Sequence, residues 1–254
     1  MALSEFKFYS SSLGFQTSVY VIIPQGKVSG EIGISAEENC GKYKCLYLLH
    51  GLSDDQSIWM RRTSIERYAQ EYGICVVMPF ADRSFYTDMK YAGKYYTYIA
   101  KELPKIICET FNVSNKREDN FIAGNSMGGY GAIKIALREC DKFSACAGLS
   151  SVADIRGLSK RFHDTYIPIW GEDINIPDED DLFSLAELCN HNPNKPRVYM
   201  GIGTDDFMYS ENLNLKKKFE SLDYDYTYRE SKGNHNWALW DEYIQYVLKW
   251  LLNK

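Results

Sequence analysis

A serine flanked two residues on each side by glycine, Gly124-Asn125-Ser126-Met127-Gly128, follows the apolar run Asn120 to Gly124 and opens a small-residue helical pattern. That spacing suits a nucleophile on a strand-to-helix turn. β-Carbons at the two glycine positions would collide with the neighbouring strand and helix, so glycine there lets the backbone hold the serine in a strained conformation with its hydroxyl exposed. The Met127 amide then sits at a helix start, where unpaired N–H groups and the positive end of the helix dipole can hold an oxyanion. The chemistry implied is attack of Ser126 on a carbonyl carbon. The pattern also arises in glycine-containing loops, so the partners of the serine decide.

A serine hydroxyl needs a base, and histidine is the usual one at neutral pH. Of the four histidines, His50 precedes the serine, His163 lies in a long connection and His191 sits in a loop before a strand. His235 occupies the loop Lys-Gly-Asn-His-Asn-Trp between the last strand and the last helix, at the sheet end where strand-to-helix loops gather. A carboxylate that accepts the second ring N–H of His235 is expected in Gly203-Thr204-Asp205-Asp206-Phe207, again after a strand. Two aspartates compete there. The Gly-x-x-Asp spacing favours Asp206, with Asp205 as a turn or cap residue. A second oxyanion amide is expected after the first parallel strand, in Leu48-Leu49-His50-Gly51-Leu52-Ser53, where Gly51 permits close approach and the Leu52 N–H joins that of Met127. His50 reads as a residue that holds this loop by hydrogen bonds.

Such residues need a sheet whose strand ends converge. The first 24 residues read as two antiparallel strands that end at Pro24. Cys45 to Leu49, Ile74 to Met78, Asn120 to Gly124, Phe143 to Leu149 and Arg197 to Ile202 are short apolar runs suited to strands buried on both faces, and Tyr224 to Arg229 suits a last strand. Helical patterns lie between them: Ile65 to Tyr72, Tyr98 to Phe111 interrupted by Pro104, Gly129 to Leu137, Ser210 to Leu222, and a long one from Trp237. The alternation predicts an α/β fold: a mostly parallel, doubly wound sheet of about eight strands with an antiparallel N-terminal hairpin and helices on both faces. Residues 1–254 are expected to form a single domain, with a cap-like insertion at about 151–190, a long connection without a strand pattern.

With 254 residues, 45% hydrophobic content and a net charge of -5, the chain can bury one large core but has no concentrated basic face for nucleic acid. No membrane partner is expected, because no run is long enough to span a bilayer, and the N-terminus lacks signal-peptide character, which suggests a cytoplasmic location. The seven cysteines, at 40, 45, 75, 108, 140, 146 and 189, read as buried free thiols rather than a zinc site or disulfide framework. The acidic run Asp178-Glu179-Asp180-Asp181 reads as a solvated surface loop rather than a cation site.

Taken together, the chain resembles the α/β-hydrolase superfamily and, within it, the esterase group that includes tributyrin esterases, S-formylglutathione hydrolases and feruloyl or acetyl-xylan esterases. The tributyrin-esterase branch is the most similar. The resemblance rests on Phe-Tyr-Ser-Ser-Ser-Leu-Gly near the start, Leu-Leu-His-Gly-Leu-Ser with Trp59, Ser84 to Met89, Gly124 to Gly129, Gly203 to Phe207 and Gly233 to Trp237. It implies a triad at Ser126, Asp206 and His235, oxyanion amides at Leu52 and Met127, and no metal or cofactor. Asn125 and Asn234 depart from the family pattern, which more often has a small or apolar residue and a glycine there. The expected substrate is a small acyl ester with a short chain, cleaved through an acyl-enzyme; a feruloyl or acetylated-carbohydrate ester, or acyl transfer by the same residues, are the alternatives. Trp59, Tyr86, Met89, Trp170 and Trp237 are candidates to wall the acyl pocket, and surface aromatics would suit a homo-oligomer. A non-enzymatic binding protein on the same scaffold would normally lack one of the three side chains.

Overall fold

Alternating side chains at the start of the chain form a hairpin in the computed structural model, which describes residues 1–26 and 41–253. Strands β1 (Ala2–Ser10) and β2 (Phe15–Ile23) pair antiparallel, from Ala2 opposite Ile23 to Ser10 opposite Phe15, and Gly14 takes a positive φ in the turn. The chain continues through β3 (Cys45–Leu49), α1 (Ile58–Arg62), α2 (Ile65–Tyr72), β4 (Cys75–Pro79), α3 (Tyr95–Thr97) and α4 (Leu103–Thr110). Next come β5 (Asn120–Asn125), α5 (Met127–Arg138), β6 (Ala145–Leu149), α6 (His163–Trp170) and α7 (Leu182–Cys189). The last elements are β7 (Arg197–Gly203), α8 (Tyr209–Glu220), β8 (Tyr226–Ser231) and α9 (Trp237–Leu252).

Among the described residues the strands form one sheet, ordered β1-β2-β4-β3-β5-β6-β7-β8. Every pairing from β4 to β8 is parallel, and β2 joins β4 antiparallel. Strands β3 to β6 consist entirely of buried residues, so they read as unbroken apolar runs. Their side chains still alternate between two cores. Tyr47 and Leu49 pack with residues of α4, α5, α7 and α8 on one face, and Leu46 and Leu48 with residues of α2 and α9 on the other. On α9, Trp240, Tyr243, Ile244, Val247, Leu248 and Leu251 form the buried stripe that their spacing predicts.

Three differences from the sequence expectation have physical causes. The helix near Tyr98 begins earlier, at Tyr95, and passes through a widened π-type turn at Tyr98–Glu102 before α4. Pro104 follows this widened turn directly, and the shifted hydrogen-bond register there accommodates the N–H that proline lacks. Residues 151–190 contain two helices; Leu182, Leu185, Ala186 and Cys189 bury one face of α7, and the Asp181 carboxylate caps it by accepting from the Ser184 N–H. The acidic run is not a solvated loop throughout. Asp178 and Glu179 are exposed, but Asp180 and Asp181 are buried, and Asp180 Oδ1 meets the wholly buried Lys134 Nζ of α5 at 3.1 Å.

Of the cysteines, 45, 75, 140, 146 and 189 are buried free thiols and Cys108 is half-buried, whereas Cys40 lies outside the described residues. No helix among the described residues is long and apolar enough to cross a membrane.

Candidate active site

Strand β5 delivers Ser126 to the start of α5 at φ +55° and ψ -119°, and the Ser126 N–H bonds the Leu149 carbonyl at 2.8 Å. A non-glycine residue at positive φ is strained and persists only where its surroundings fix it. The glycines supply those surroundings. A β-carbon on Gly124 would sit 2.5 Å from the Gly128 carbonyl, and one on Gly128 would sit 2.4 Å from the Leu49 oxygen of the neighbouring strand. Backbone cannot yield at such distances, so the strand, turn and helix close only with glycine at both positions.

His235, from the loop between β8 and α9, places Nε2 3.0 Å from Ser126 Oγ and Nδ1 2.9 Å from Asp206 Oδ2. An ionised carboxylate only accepts, so Nδ1 carries the ring proton and Nε2 accepts from the serine hydroxyl. Asp206 Oδ1 also accepts the Met208 N–H at 2.9 Å, and the Ser150 hydroxyl supports the same carboxylate. Burial alone would raise the Asp206 carboxyl, but the hydrogen bonds from His235, Met208 and Ser150 outweigh it and hold the group below the usual range. Asp205, in contrast, is exposed, and its N–H bonds the Gly233 carbonyl at 2.9 Å as part of the turn.

Ser150 escaped the sequence reading. It lies just past β6 at positive φ, and its Oγ accepts from Trp240 Nε1 at 3.1 Å while serving Asp206. The signal was a serine at a strand's carboxyl end, which is too common to single out. Trp240 and Phe207 pack their rings 4.9 Å and 4.8 Å from the His235 ring and fix its plane.

His50 holds the loop after β3. The Ala81 N–H donates to His50 Nε2 at 2.9 Å, which leaves Nδ1 to donate to the Gly51 carbonyl at 2.7 Å. Burial pushes the imidazole below its ordinary value, so it stays neutral in this tautomer. Leu52 follows in that loop, and Met127 is the first residue of α5, where its N–H has no intrahelical acceptor. Both line the cleft that holds Ser126 and His235, a cavity of about 450 Å³.

Among the five candidate wall residues, Trp237 lines this cleft and the other four do not. Trp59 is buried beneath it, donates to the Leu49 carbonyl at 2.9 Å and packs edge-on against Trp237. Tyr86 is wholly buried and donates to the His50 carbonyl at 2.9 Å, while Met89 packs against the core. Trp170 gives its indole N–H to Asp180 Oδ2 at 2.8 Å. A large aromatic with a polar tip is readily buried once that tip finds a partner, which is what removes Trp59, Tyr86 and Trp170 from the cleft. In their place Trp240, Phe207, Val152 and Phe162 contribute apolar wall, the last two from residues 151–190.

A buried carboxylate, an oriented imidazole and a strained serine beside free amides are the parts of a nucleophile activated for acyl transfer. The chain as a whole is similar to known proteins. The profile of a family described as "Putative esterase" matches residues 7–251. An acetyl esterase of Caldicellulosiruptor saccharolyticus is 30% identical over 264 residues, covering 99% of this chain and 98% of that protein. A substrate-bound fluorophosphonate-binding serine hydrolase of Staphylococcus aureus superposes with a TM-score of 0.86 at 33% identity, covering 100% of this chain and 99% of the other. An S-formylglutathione hydrolase of Staphylococcus aureus gives 0.85 at 33% identity, covering 99% of each chain. The sheet order and helix placement are those of the α/β-hydrolase fold.

Proposed function

The chain belongs to this esterase family and is a carboxylic ester hydrolase, and on that premise we propose that it cleaves short-chain acyl esters through an acyl-enzyme on Ser126. The observation that carries the reading is the continuous hydrogen-bonded array from Ser126 Oγ through His235 to Asp206, at 3.0 and 2.9 Å. His235 Nε2 takes the serine proton as Oγ attacks the ester carbonyl. The amides of Leu52 and Met127 hold the oxyanion, each contributing about 3 kcal/mol to the transition state. Collapse of this intermediate expels the alcohol, which receives the proton from His235. Water then enters, gives a proton to His235 and attacks the acyl carbon, and Ser126 recovers its proton as the acid leaves.

Asp206 keeps Nδ1 protonated throughout and stabilises the imidazolium that forms in each half-reaction. Residues 151–190 act as the cap, since Val152, Arg161 and Phe162 border the cleft from that segment. A cavity of about 450 Å³ suits a small ester. The test is Ser126→Ala, with p-nitrophenyl acetate as substrate and circular dichroism to verify the fold. Turnover should vanish in a folded protein; undiminished turnover would sink the assignment.

A further inference from the structure

Asn125, immediately before the nucleophile, is a residue whose type the reaction does not demand. Its side chain is fully buried, and neither Nδ2 nor Oδ1 bonds any group of the protein. Buried amides nearly always find partners, because leaving one unpaired forfeits its hydration without return. Among the described residues with unpartnered buried side-chain atoms, only Asn125 lines the cleft that holds Ser126 and His235. Asp54 lines the same cleft. A β-carbon placed on Gly51 would sit 3.3 Å from Asn125 Nδ2, 3.1 Å from Asp54 Oδ2 and 3.7 Å from Ser126 Cβ. The amide and the carboxylate therefore both lie close to Gly51, in the part of the cleft beside Ser126.

Sheet order indicates which part of an ester reaches that space. Strand β5, which ends at Asn125, has β3 on one side, and the loop after β3 carries Gly51 and Asp54. On the other side lie β6, β7 and β8, and the last two lead to Asp206 and His235. The leaving oxygen must collect a proton from His235 Nε2, so the alcohol lies towards β7 and β8. The Leu52 and Met127 amides take the carbonyl oxygen, and the acyl substituent has the remaining direction, away from β7 and β8.

Building on the esterase reading above, we propose that Asn125 and Asp54 form a specificity subsite for a hydroxyl on carbon 2 or 3 of the acyl group, so that short hydroxyacyl esters are preferred. The hydroxyl accepts from Asn125 Nδ2 and donates to the Asp54 carboxylate. Burial, reinforced by the charge of Asp55, pushes the Asp54 carboxyl up, which makes it the better acceptor. A plain hydrocarbon chain leaves the asparagine unpaired. Sites built to bond a hydroxyl discriminate against the analogue without it for this reason.

The test is steady-state kinetics on p-nitrophenyl butyrate against both enantiomers of the 3-hydroxybutyrate ester, and on the propionate against the lactate ester. Each rate is normalised to alkaline hydrolysis. Wild type should favour a hydroxy ester by roughly tenfold in kcat/KM, the scale of one or two good hydrogen bonds. In Asn125→Leu that ratio should fall towards one, whatever happens to the butyrate rate itself. Asp54→Asn, which keeps the shape of the side chain, should reduce the ratio in part and serves where the leucine variant does not fold. Equal ratios in wild type and both variants, or no hydroxy preference in wild type, overturn the subsite. A preference for 2-hydroxyethyl over propyl butyrate that disappears in Asn125→Leu overturns the acyl-side placement. Failure of wild type to hydrolyse any of these esters overturns the esterase reading instead.

Discussion

Replacing Lys134 by methionine removes a charge from a wholly buried place. Lys134 Nζ lies on α5, the helix that follows Ser126, and donates to Phe85 O at 3.1 Å, Thr87 Oγ1 at 2.6 Å and Asp180 Oδ1 at 3.1 Å. The lysine side chain is 0% exposed and that of Asp180 4%. Burial pulls the ammonium below its ordinary value, and the Asp180 carboxylate pulls back in the other direction. Breaking such a pair from one side strands the other charge, at a cost of about 3–5 kcal/mol. Arg138, 3.6 Å from Asp180, softens this only in part because it is also engaged with Glu179. For a chain of this size each kcal/mol lowers Tm by roughly 2–4 °C, so Lys134→Met should melt about 10 °C below wild type. The second arm of the experiment is Lys134→Met with Asp180→Asn. The neutral pair keeps an acceptor for Trp170 Nε1 and no stranded charge, so it should regain more than half of the loss. Thermal and urea denaturation followed by tryptophan fluorescence give the melting shift and the free-energy losses. A single variant that loses less than about 1 kcal/mol, or a double variant as unstable as the single one, would refute the argument that this ion pair is desolvated and mutually dependent.

The remaining predictions concern the site itself. Asp206→Asn presents an amide to His235, which favours the tautomer with hydrogen on Nε2 and removes the acceptor for Ser126; kcat/KM on p-nitrophenyl acetate should fall by about 10³–10⁴ with little change in KM. The folded Asp206 carboxyl titrates below its unfolded value of about 3.9, so its contribution to stability is present above about pH 4 and is lost as pH falls through the folded value. The urea midpoint of wild type should therefore drop more steeply below pH 4 than that of Asp206→Asn, and parallel curves would contradict this. Gly128→Ala drives a methyl group to 2.4 Å from the Leu49 oxygen and should cost about 2–3 kcal/mol with loss of turnover, measured by urea unfolding and ester hydrolysis.

Much of the scaffold was legible because its signals are local. The buried strands announced themselves as apolar runs, and α9 through a stripe at spacings of three and four. The π-type turn before Pro104 and the two helices within residues 151–190 were not read. The first is a small rearrangement around a missing N–H, and the α7 pattern of Leu182, Leu185, Ala186 and Cys189 is only two turns long behind an acidic run. At the site, Asp205 and Asp206 are neighbours of the same chemical type. Their spacing from Gly203 favoured Asp206, and the distance to His235 Nδ1 is what separates them. Ser150 carried no distinguishing signal at all, since its role exists only once β6, β7 and α9 are side by side.

By itself the sequence determined the strained serine turn, because the steric demand that imposes glycine at 124 and 128 acts over five consecutive residues and leaves its mark there. It also determined the order of Ser126, Asp206 and His235 along the chain, and the strand ends on which they stand. Only the tertiary structure decided which aromatic side chains face the cleft and which are buried beneath it. An aromatic residue looks the same in sequence whether its polar tip meets a backbone carbonyl, as for Trp59 and Tyr86, or its ring borders the cavity, as for Trp237. The same holds for the acidic run. Asp180 is a core residue because Lys134, 46 positions away, is buried against it, and a partner that distant is set by packing and not by spacing.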